Sequence, residues 1–127
     1  MNLTRTLFCA TAFAGMTALA PVAFADGPQA VGIAGNHAGL AAKAGAVEMV
    51  HTHLHHVLNC LVGPGGQGFD AAPGNPCGMA GGAIPQTADA AMKTKLEGVA
   101  TAVRGGIANN DLAAAQKVAT DAQTALK

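Results

Sequence analysis

Beyond residue 25 this chain carries a single Phe, Phe69, and no Tyr or Trp. Its core therefore has to be built from Ala, Val, Leu, Ile and Met, side chains that suit closely packed helices. The apolar spacing agrees. Four sets recur at intervals of three and four residues. They are Ala30, Ile33, His37, Leu40 and Ala44; then Val47, Val50, Leu54, Val57 and Leu61, backed by Leu58; then Met92, Leu96, Val99, Val103 and Ile107; and finally Leu112, Ala115, Ala119, Ala122 and Leu126. Each is the pattern of one buried helix face. The fold expected is all-α, an antiparallel up-down four-helix bundle with helices of roughly 15 to 20 residues.

Punctuation sets the boundaries. Gly45 ends the first helix and Gly63-Pro64-Gly65-Gly66 the second. Thr87 serves as N-cap of the third, with Asp89 in its first turn, and Asn109-Asn110-Asp111 stops one helix and starts the next. An alternative keeps Gly45 inside one long His-bearing helix from about residue 36 to 62, which gives three helices. His37 then lies roughly 21 Å from His51. A turn at Gly45, the favoured version, sets His37 across from Leu54 and close to His51, His53 and His55. Residues 63–86 are too rich in Gly and Pro for regular structure and too long for a neutral connector.

The first 25 residues read as a secretory signal peptide: a basic start to Arg5, an apolar run from Leu7 to Leu19, and Ala23-Phe24-Ala25 ahead of Asp26. Residues 26–127 then form one small metal-binding helical domain, addressed to the periplasm or secreted. Six basic and seven acidic residues there leave one net negative charge. With no basic stripe, nucleic acid is excluded as a partner, and no membrane association is expected after signal cleavage. Cys60 and Cys77, the two cysteines beyond the signal, are expected to form a disulfide. That bridge would close the loop 61–76, a stabilisation of about 3 kcal/mol in the chain-entropy model. The alternative leaves Cys60 free as a soft-metal ligand.

The functional signal is HTHLHH at residues 51–56, which holds four of the five histidines. Imidazole is the commonest protein metal ligand. On a strand, His51, His53 and His55 would share a face; the three-four periodicity and Ala-rich flanks favour a helix. The helix divides the segment into two stripes, Glu48 with His51 and His55, and Met49 with His53, His56 and Cys60. His51 and His55, four apart, have the spacing of a chelating pair, with Glu48 as a further ligand or tautomer anchor. The ligand candidates are His37, His51, His53, His55 and His56, with Glu48, Met49 and Met79 auxiliary. Imidazole and carboxylate suit Cu(II), Ni(II) or Zn(II), and thioether or thiolate shifts preference towards Cu(I). Copper is favoured because the chain offers both kinds of set, with zinc and nickel as alternatives.

Catalysis has little support. The chain has no Ser, no CxxCH for covalent haem, and no glycine-rich phosphate loop that follows a strand or carries a lysine. These features together resemble the small His-rich metal-binding helical-bundle proteins of bacterial periplasms. A signal peptide, about 100 further residues, Ala-rich helices such as DLAAAQKVATDAQTALK and histidines on helix faces carry the resemblance. It implies a metal buffer, carrier or resistance protein rather than an enzyme, with a periplasmic transport or acceptor protein as partner. Two departures point to one or two defined sites rather than many: the third and fourth helices carry no histidine, and the Cys60/Cys77 pair is extra. Two other classes compete. One is a non-covalent haem or electron-transfer bundle with His and Met axial ligands. The other is an interaction module in which the disulfide-pinned loop contacts a periplasmic partner.

Overall fold

A computed structural model describes residues 27–78 and 81–127. The signal-peptide reading of residues 1–25 and the ligand role of Met79 lie outside the described residues. The described chain is all-helical: α1 (Gly27–Lys43), α2 (Val47–Val62), a short α3 (Ala83–Gln86), α4 (Ala90–Ile107) and α5 (Leu112–Ala125). Helix α1 packs against α2 and α5, and α4 packs against the same two; α2 also touches α5, and α3 is wedged against α1, α2 and α4. No described helix is long and apolar enough to cross a membrane.

The chain breaks between Lys43 and Val47, so the single long helix over residues 36–62 does not form. The three residues between form a tight connection at Gly45, and α1 folds back along α2. The hydrophobic stripe of α2 is buried as expected: Val50, Leu54, Val57 and Leu61 are all fully enclosed. That of α1 is shifted. Ala30, Ala34, Ala38 and Ala41 are fully buried, while Leu40 is 50% exposed. The buried face of α1 is an alanine stripe, and Leu40 lies off that stripe on the helix and faces out. Met92, expected in the core at the start of α4, is also exposed at 43%.

The starts of α4 and α5 are fixed by carboxylates. Asp89, not Thr87, is the N-cap of α4, and its Oδ1 accepts from the Met92 N–H at 2.7 Å. Thr87 instead donates its hydroxyl to the Ala83 carbonyl at 2.7 Å and closes α3. Asp111 caps α5 as expected, accepting from Ala114 N–H at 2.8 Å. At the other end of α2, Gly63 takes φ 71°, the left-handed region that glycine adopts without strain. A Cβ there would collide with the backbone of Gly81 and Gly82. The exit of α2 therefore crosses the approach to α3 at a point only glycines allow, which brings Gly63 and Gly82 together at the end of α2. Cys60 and Cys77 are bridged, with Cα atoms 5.3 Å apart.

Candidate metal centre

Helix α2 turns its Met49–His53–His56–Cys60 stripe towards α1. The fold-back at Gly45 then sets His37 opposite His53 and His56. His37 Nδ1 lies 3.3 Å from His53 Nδ1 and 3.3 Å from His56 Nδ1. One ligand atom from each of the three lies within 4.8 Å of the others. The rings crowd together, with centroids 4.7 to 5.6 Å apart, and all three side chains are half-buried.

These spacings suit one ion. Nitrogens bound tetrahedrally at about 2.0–2.1 Å are separated by roughly 3.3 Å, the distance of the two His37 contacts. Protonation states support the same use. His56 Nε2 lies 2.7 Å from the Pro73 carbonyl. A carbonyl only accepts, so Nε2 carries the hydrogen and Nδ1 of neutral His56 presents its lone pair to the cluster. His37 and His53 have their pKa lowered, first by burial and then by the neighbouring histidines. Both effects penalise imidazolium and keep the nitrogens free for a metal.

The remaining sequence candidates lie apart. His51 Nε2 donates to the Asn109 carbonyl at 2.8 Å, across the connection between α4 and α5. His55 has an enclosed Nδ1 with no partner among the described residues. Its pKa is lowered by burial, an effect that nearby Asp70 opposes. The i, i+4 pair of His51 and His55 is therefore not where the imidazoles converge; the i, i+3 pair of His53 and His56 is, completed from another helix. Glu48 is exposed and outside the cluster. Met49 belongs to the right stripe but is 53% exposed. Cys60 is consumed by the disulfide, so it is no thiolate ligand.

Asn59 is a residue that the sequence did not single out. It is the one fully buried polar side chain among the described residues. Its Nδ2 donates to the Asp70 and Gly74 carbonyls at 2.6 and 2.8 Å, and its Oδ1 accepts from the Asp70 N–H at 3.0 Å. An asparagine on the inner side of a helix facing a Gly/Pro loop was the available signal. Comparison with protein-family models, curated proteins and solved structures finds no match.

Proposed function

We propose that this chain binds one divalent transition-metal ion through Nδ1 of His37, His53 and His56, and serves as a metal buffer or carrier. The observation that carries this is the pair of 3.3 Å Nδ1–Nδ1 separations between histidines of two helices. An imidazole-only set suits Cu(II), Ni(II) and Zn(II). Among these, the general order of affinity favours Cu(II), which keeps copper first and zinc and nickel as competitors. Three protein ligands leave an open coordination position for water or a group on an acceptor protein.

In this reading the four long helices run up and down around the Ala-rich core. The protein acts in the periplasm or outside the cell after loss of its signal peptide. The buried disulfide suits such an oxidising compartment. The role is binding and delivery or resistance rather than catalysis, as in the small His-rich periplasmic bundles the sequence resembles. Three nitrogens converging on one point favour an ion over the flat slot a haem needs.

The test is a competition titration of the intact protein with Cu(II), Zn(II) and Ni(II). One equivalent bound saturably, with Cu(II) tightest, is expected. Weak, unsaturable uptake of every ion would overturn the proposal.

A further inference from the structure

The last turns of α2 carry three residues at spacings of three and one, His56, Asn59 and Cys60, and each grips the same loop. His56 Nε2–H donates to the Pro73 carbonyl at 2.7 Å. Asn59 holds Asp70 through both its N–H and its carbonyl, and Gly74 through its carbonyl, at 2.6 to 3.0 Å. Cys60 is bonded to Cys77. Pro73 thus sits between two residues that Asn59 clamps, four positions before the disulfide. The fit is close: Gly74 has φ 108°, and a Cβ there would lie 3.3 Å from His56 Nε2.

The Pro73 carbonyl decides which imidazole nitrogen of His56 faces the cluster as a bare lone pair. Free neutral histidine exchanges between two tautomers, and only the one protonated at Nε2 offers Nδ1 to a metal. Hydrogen bonds from ligating histidines to backbone carbonyls fix tautomer and ring orientation, and their loss typically costs 10- to 100-fold in affinity. Such a bond works only if its carbonyl stays in place, and a Gly/Pro loop does not hold itself.

We infer that Asn59 and the Cys60–Cys77 bridge are positioning residues of the metal centre: they hold the Pro73 carbonyl against His56 and so set the affinity of the three-histidine site. This rests on the proposed metal reading and assigns a metal-tuning role to a loop 17 residues from His56 in sequence at Pro73. It also gives the buried disulfide a task beyond holding the fold.

Two variants test it with zinc as the probe, since zinc has no redox chemistry with the protein. Cys60→Ala/Cys77→Ala opens the bridge and leaves no thiol to bind metal. Asn59→Ala keeps the bridge and removes the clamp. Zinc affinity is measured by chelator competition, and the His56 tautomer by imidazole nitrogen NMR of the metal-free protein. Each variant is expected to weaken zinc binding by roughly 10- to 100-fold and to convert His56 from a single Nε2–H tautomer to a mixture. Should the double variant lose its helices, Asn59→Ala carries the test. Zinc affinity within about threefold of wild type, or an unchanged His56 tautomer, overturns the inference and leaves the metal site standing. A wild-type protein that takes up none of Zn(II), Cu(II) and Ni(II) overturns the metal reading and this inference together, while the tautomer measurement still reports whether the loop sets His56.

Discussion

His37 matters to the site because it is the one histidine that does not come from α2. Its neighbours Ala34, Ala38 and Ala41 are fully buried, and their small size lets the imidazole reach His53 and His56 across the helix pair. At this scale the sequence was partly legible. The stripe holding Met49, His53, His56 and Cys60 follows from helical spacing alone, as does the opposition of His37 to this segment once the chain turns at Gly45. What spacing could not reveal was that His51 is engaged by a carbonyl 58 residues away, or that alanines rather than Leu40 form the contact face of α1. The face of α1 can be checked directly. Leu40→Ala should change stability by no more than about 0.5 kcal/mol, whereas Ala38→Leu, an overpacking change, should cost about 1–3 kcal/mol in denaturant unfolding.

Among the elements, α2 does the most. Its apolar face builds the core, a neighbouring stripe carries His53 and His56, and its C-terminal turns hold the loop at Asp70, Pro73, Gly74 and Cys77. Its existence and the stop at Gly63 were readable from periodicity and the Gly-Pro-Gly-Gly run. The start of α4 was misplaced by two residues because Thr87 and Asp89 are both good caps, and only the short α3 decides between them. The histidines of the α1–α2 pair are expected to make the fold pH-sensitive. His37, His53 and His55 all have lowered pKa values, with burial the largest cause in each. The unfolded chain, with histidines near 6.5, binds more protons than the folded one just below that pH. The contribution to stability is therefore complete above about pH 6.5 and is lost as pH falls through it towards the lowered folded values. Thermal melts of the metal-free protein should show a falling midpoint between about pH 7.5 and 5.5; a flat profile would mean the burial of these imidazoles has no energetic consequence.

For the whole molecule, the centre is a tertiary product. No single helix contains it, and the loop whose Pro73 carbonyl accepts from His56 is tied down by a disulfide and a buried asparagine. That is why the sequence pointed to the segment that carries two of the three clustered histidines yet favoured a chelating pair within one helix. Local spacing ranks pairs on one element, while the three-dimensional site selects the stripe that meets a histidine from elsewhere. The most direct test compares metal affinity in three proteins by competition with a chelator: wild type, His37→Ala, and His51→Ala/His55→Ala. His37→Ala is expected to lose more than roughly 100-fold, beyond the loss expected for an outer partner, while the double variant stays within about threefold of wild type. Retained affinity in His37→Ala together with its loss in the double variant would contradict the interhelical site.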